Sequence, residues 1–223
     1  MIRGFPILLA AALSACAGGT LAPDWRVNAH EALAAHVQSS LKGDTRIAAR
    51  ELAIARNEAG RTGSAEPLAR VELTACAVRI ASLAGEDCPE AQPLLRDAGE
   101  ASRAYAAYLA GRWDGLDRAR LPPAQRDVPV ATDAVATLNG IDEPFSRLVA
   151  AALLLRAGHL PPEGIAVAID TASEQGWRRP LLAWLMFDRD RLAAAGDSAG
   201  AAERQRRIDY ASGLSAGPPK QQP

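Results

Sequence analysis

The stretch Leu41-Lys42-Gly43-Asp44-Thr45-Arg46-Ile47-Ala48 decides the fold. Glycine adopts the left-handed backbone that closes a helix without steric cost, and the polar residue after it starts the next helix. The same phrase recurs at Ala110-Gly111-Arg112, Ala157-Gly158-His159 and Ala195-Gly196-Asp197. Twice it extends to G-D-x-x-x-A, at Gly43, Asp44 and Ala48 and again at Gly196, Asp197 and Ala201. A chain punctuated in this way reads as antiparallel helix pairs joined by short turns.

Working outward from those turns, Asp24 reads as the N-cap of a helix reaching Leu41, Asp44 as the cap of a second ending near Gly60, and Ser64 as the opening of a third to about Ala84. At 100° per residue the third helix carries Leu73, Cys76, Ala77, Ile80 and Leu83 on one side, and Leu68, Val71, Ala75 and Val78 on nearly the opposite side. A helix with two apolar faces is sandwiched between neighbours. A short helix is expected from Glu90 to Arg96, then others over about 98–110 and 131–138. Asp142 is read as the cap of a helix with Pro144 in its first turn. Further helices are expected over 161–175, 179–195 and 197–212. The Asp142-capped helix carries the apolar run 148–155, and the run 181–187 (LLAWLMF), apolar on every side, is expected to be buried. No stretch alternates with period two long enough for a strand, so the fold class is all-α. The organisation is a helical half over 24–120, a Pro-rich connection over 121–132 (LPPAQRDVPVAT), a second half over 133–212, and a disordered tail over 213–223.

Composition narrows the function classes. The 223 residues balance at a formal charge of −1, and nucleic-acid-binding domains usually carry a basic excess, so no nucleic-acid partner is expected. Aromatic residues make up 4%, low for a β-sandwich or a carbohydrate cleft, while 48% apolar residues rich in alanine suit closely packed helices.

The N-terminus has the layout of a secretory signal peptide over residues 1–15: a basic start at Arg3, an apolar run from Phe5 to Leu13, and the small residues Ser14 and Ala15. With Cys16 following, Leu13-Ser14-Ala15-Cys16 resembles the lipobox of bacterial lipoproteins. That resemblance implies cleavage before Cys16, acylation of its thiol and new amine, and a lipidated tether over 16–23. Because Ala17 is not Asp, it also implies delivery to the outer membrane, facing the periplasm. An ordinary signal peptide with an incidental cysteine is the competing reading. In an oxidising compartment Cys76 and Cys88 are expected to form a disulfide, against the alternative of two free buried thiols.

The G-D-x-x-x-A turns resemble the inter-helix turn of tetratricopeptide repeats, with Leu52 and Ala55 where that family places a large and a small packing residue. The resemblance implies a degenerate helical solenoid. The departures are Ala32, His36 and Ser39 at the family's Trp, Gly and Tyr positions, and turn glycines 68, 47 and 38 residues apart, of which only the first spacing is a multiple of 34. An irregular bundle with glycine-capped helices is the other reading.

No sequence signature of catalysis appears. H-E-x-x-H, G-x-S-x-G, P-loop and G-x-G-x-x-G patterns are missing, and so is the Glu-Ser dipeptide of lytic transglycosylases. The chain is therefore read as a non-enzyme, with no cofactor and no metal. His30 and His36 lie on different sides of their helix, and Glu86, Asp87 and Glu90 read as a solvated turn. Trp113 and Trp177 follow helix-ending glycines, where each is either buried under the next helix or a partner anchor. Arg204, Arg206 and Arg207 form either a solvated face or a contact for an acidic partner or lipid headgroups; Trp113, Trp177, Arg204 and Arg207 are the candidate partner-binding residues. The leading expectation is a lipid-anchored helical scaffold that binds an envelope protein. A small-molecule- or lipid-binding domain walled by 148–155 and 181–187 is the alternative, and an envelope hydrolase of unrecognised type the third.

Overall fold

A glycine in the left-handed conformation closes each of the four repeated turns, with φ of 97° at Gly43, 69° at Gly111, 73° at Gly158 and 80° at Gly196. The computed structural model describes residues 22–85 and 87–213. The expected signal peptide over 1–15, Cys16, the expected tether as far as Leu21, Glu86 and residues 214–223 lie outside the described residues.

Among the described residues the fold is all-α, with no strand. The helices are α1 (Asp24–Lys42), α2 (Thr45–Gly60), α3 (Ala65–Ala81), α4 (Glu100–Leu109), α5 (Ala134–Asn139), α6 (Pro144–Arg156), α7 (Pro162–Glu174), α8 (Arg178–Ala194) and α9 (Ser198–Ala211). The two G-D-x-x-x-A turns join the two most extensively packed pairs, α1 with α2 and α8 with α9. Both turns close by the same backbone bonds: the N–H of Asp44 donates to the Ser39 carbonyl at 2.8 Å, and that of Asp197 to the Leu192 carbonyl at 2.9 Å. Ala48 is buried as a small packing residue should be, whereas Ala201 is half-buried.

The capping residues partly differ from expectation. Asp197 caps α9 by accepting from the Gly200 N–H at 2.9 Å. Asp44 and Ser64 hold the N-cap positions without a side-chain bond, and Asp24 is the first helical residue after Pro23. Glu143, not Asp142, caps α6, since its carboxylate reaches the N–H groups of both Phe145 and Ser146.

Helix α3 packs against α1, α2, α4 and α6, so its two apolar faces are both covered. Alanines at 32, 55 and 59 let α1, α2 and α3 approach one another around Val71. The main apolar cluster extends from Leu41 through α3 and α4 to α6, α7, α8 and Ile208 of α9. Every residue from Leu148 to Leu154 is buried within it. The run 181–187 differs: Trp184 and Leu185 are buried, but Met186 is 46% exposed and the others are half-buried. A run without period does not say which side a neighbour will cover.

The Pro-rich stretch does not divide the core. It forms the 3-10 turns Pro123–Gln125 and Val128–Val130, and Leu121 and Val128 join the main cluster. Buried Gln125 accepts from the Tyr108 hydroxyl and donates to the Ser146 carbonyl at 3.4 Å, linking α4 to α6. The chain also returns on itself. The Trp177 indole donates to Gln38 Oε1 at 3.3 Å, and Arg179 to Thr45 Oγ1 at 2.9 Å, so α8 rests on α1.

Cys76 and Cys88 are joined as a disulfide, with Cα atoms 5.4 Å apart. The bond pins the irregular segment after α3 to the middle of that helix. The helix expected over 90–96 is only the 3-10 turn Gln92–Leu94, because Pro89 and Pro93 remove the donors a longer helix needs. Replacing both cysteines by serine should lower stability by roughly 3 kcal/mol. In urea titrations the wild type should lose about that much on adding reductant, and the double variant should not respond to it.

Candidate functional site

Helices α1 and α3 advance side by side, and the space left between them on one face opens to solvent. A depression of about 430 Å³ lies between the first turns of α1 (Trp25, Arg26, Ala29, His30) and the first turns of α3 (Glu66, Pro67, Arg70). A second of about 480 Å³ is bounded by α3, by Ala101, Ser102 and Tyr105 of α4, and by 119–122 with Arg126. Leu33 and Arg70 line both, so the two adjoin as one groove.

Its floor is apolar, from Ala29, Leu33, Val71, Leu73 and Leu121. Tyr105 is the polar handle. Its ring stacks on Tyr108 with centroids 5.9 Å apart, and Tyr108 stacks on Trp113 at 6.3 Å. The inner two rings are fixed, Tyr108 by Gln125 and Trp113 by its indole N–H on the Tyr108 carbonyl at 3.1 Å. The Tyr105 hydroxyl has no hydrogen-bond partner among the described residues. Burial, with a smaller push from the Glu143 charge, raises its pKa and keeps it a proton donor.

The rim is positive. Arg26, Arg70, Arg120 and Arg126 line the groove against one carboxylate, Glu66. That carboxylate is fully engaged by Arg70 Nε at 2.7 Å, the Gly99 N–H at 2.7 Å and the Ser102 hydroxyl at 3.0 Å. Burial pushes its pKa up, but these hydrogen bonds outweigh the burial and hold it below the usual range. Glu66 thereby caps α4 from α3, since Gly99 is the N-cap of α4 and brings no side chain of its own. Arg120 is paired with Glu100 at 2.6 Å, whereas Arg126 donates to the neutral carbonyls of Leu121 and Ala119. Arg26 lies over the Trp25 ring at 5.4 Å.

The candidate partner-binding residues named from sequence do not line this groove. Trp177 is 3% exposed and presents no surface to a partner; it is packed under α1. Trp113 is half-buried against the core. Arg204 is a brace between helices, donating at 2.8 Å to Asp188, a buried carboxylate that Arg191 also holds. Arg207 is half-buried on α9, apart from the other three. The expected pocket walls also differ. Residues 148–154 are core, and 181–187 lie between the core and solvent.

Sequence reasoning missed Glu66, Arg70, Tyr105 and Arg126, which come from three separate segments. One signal was available: 66, 70 and 74 follow at four-residue spacing, a polar strip between the two apolar faces of α3. Among the described residues, no three His, Cys, Asp or Glu side chains gather as metal ligands would, and no helix is long and apolar enough to cross a membrane. No family model matches the chain, and neither a curated protein nor a solved structure matches it.

Glu66→Ala should cost about 1–2 kcal/mol, as loss of a cap does. The Glu66 contribution is present above the unfolded carboxyl pKa and is lost as pH falls through its lower folded value. Chemical denaturation of wild type and variant should therefore differ at pH 7, with the difference shrinking below about pH 4.

Proposed function

We propose that this chain is a non-catalytic scaffold of the cell envelope, held by acyl chains on Cys16 in the outer membrane, which binds a segment of a protein partner on the periplasmic side. The observation that carries the binding reading is the groove between α1, α3 and α4: a long apolar floor with a positive rim and one free phenol donor. Apolar floors with a few polar contacts at the edge suit an extended or helical peptide segment. The disulfide fits an oxidising compartment. The lipobox supplies the address, and residues 17–23 span at most ~25 Å. Trp25 and Arg26 follow that tether directly, so the groove opens close to the anchored end.

Two measurements test the two halves of this reading. Cys16→Ser should move the protein out of the membrane fraction, and native wild type should show the mass of an acylated Cys16. If the variant stays in the membrane, the anchor is wrong. A photo-crosslinking residue at Ala101, on the groove wall, should give a discrete protein adduct in cells, while the same residue at Ala166, an exposed position on α7, should give none. Equal labelling at both positions, or at neither, rejects the groove as the partner site.

A further inference from the structure

The four arginines of the groove are unevenly paired. Arg120 is engaged by Glu100 at 2.6 Å and by Asp117 at 3.3 Å. Arg70 gives only its Nε to Glu66, at 2.7 Å, and both of its Nη groups remain at an exposed rim position. Arg126 is held by neutral groups: its Nε and Nη2 donate to the carbonyls of Leu121 and Ala119 at 3.1 and 3.3 Å. Those bonds orient the guanidinium without cancelling its charge. Arg26 lies over the Trp25 ring at 5.4 Å. Arg26 and Arg126 are both exposed, and neither has a carboxylate partner among the described residues.

Their placement follows the length of the groove. Arg26 belongs to the depression between α1 and α3, Arg126 to the one beside α4, and Arg70 to both. The α3 residues along it run from Glu66 to Thr74, which is about 12 Å at ~1.5 Å per residue. Cations thus flank an apolar floor in both depressions and where they join. Glu66 is the one carboxylate among the lining side chains, and its own three hydrogen bonds already engage it. A groove with donors and positive charge to offer, and no free acid of its own, is complementary to carboxylates.

We propose that the partner segment taken by the groove is acidic and amphipathic: roughly four extended residues, or about two helical turns, with apolar side chains on the floor and carboxylates at Arg26, Arg70 and Arg126. This rests on the groove being the partner site and adds which partners it accepts. A basic segment is repelled, and a neutral one leaves Arg26 and Arg126 without a counter-charge. An acyl chain suits the place less well than a peptide. The groove opens to solvent, so one side of a hydrocarbon chain would stay in water, whereas an amphipathic peptide turns its polar side there.

Random peptides of about twelve residues, displayed on phage and selected on the full chain in phosphatidylcholine nanodiscs, test it; that length exceeds the ~12 Å groove in either conformation. Selected peptides should be enriched in Asp and Glu over Lys and Arg relative to the starting pool, and a crosslinker at Ala101 should capture them. The tightest of them should bind about tenfold or more weakly once its acids are changed to amides, and likewise to the Arg26→Glu/Arg126→Glu chain. Arg26→Glu alone, which leaves the 119–126 turn intact, should weaken it about threefold or more. Neutral or basic peptides captured at Ala101 overturn the acidic preference and leave the groove as a binding site. Acidic peptides that Ala101 does not capture, or no enrichment at all, overturn both. Dodecanoate is the lipid probe: if it binds the wild type and not the double variant while no peptide is enriched, the occupant is an acyl chain and the proposal falls.

Discussion

Helix α3 is buried on two sides, and the rest of the molecule follows from that. Val71 reaches the small alanine-lined cluster with α1 and α2, while Leu73, Cys76, Ala77 and Ile80 belong to the main core. Two covered faces leave one narrow strip open, and that strip carries Glu66, Arg70 and Thr74 at the groove. Farther along, Ala75, Val78 and Arg79 of the same helix wall a cleft of about 220 Å³ shared with His36 of α1 and Arg179 of α8, and Cys76 holds the irregular segment through Cys88. A change of register in α3 would disturb core, groove and cleft together.

Electrostatics divide the molecule in a similar way. Glu72 is 8% exposed and is gripped by Arg56 through two contacts of 2.7 Å; Asp188 is 3% exposed and is held by Arg191 and Arg204. A buried carboxylate without such partners would be strongly destabilising. The pairing uses up the acids that the core contains. Arg26, Arg126, Arg178 and Arg179 have no carboxylate partner among the described residues, and they stand at the groove and at the α1–α2 turn. A formal charge of −1 for the whole chain therefore hides two positive places.

Local chemistry was legible in the sequence, and assembly was not. The glycine stops, the two-faced α3 and the Cys76–Cys88 pair each follow from residues within a few turns of one another. Trp177 could not be placed, because the Gln38 that receives its indole N–H is 139 residues away. Arg204 sits in the basic run with Arg206 and Arg207 and looks solvated, yet its partner Asp188 is 16 residues earlier on the facing helix. Met186 is exposed within an apolar run because no neighbour covers that side of α8. The groove was hidden for the same reason, since its walls come from α1, α3, α4 and the 119–126 segment.

Native-state hydrogen exchange tests the central role of α3 most directly. If that helix is the axis on which the other helices pack, the amides of residues 73–80 exchange only through global unfolding, with an opening free energy equal to the stability measured by denaturant and matched by those of 148–154. Exchange of 73–80 by local opening, at a free energy well below that of 148–154, would contradict the account.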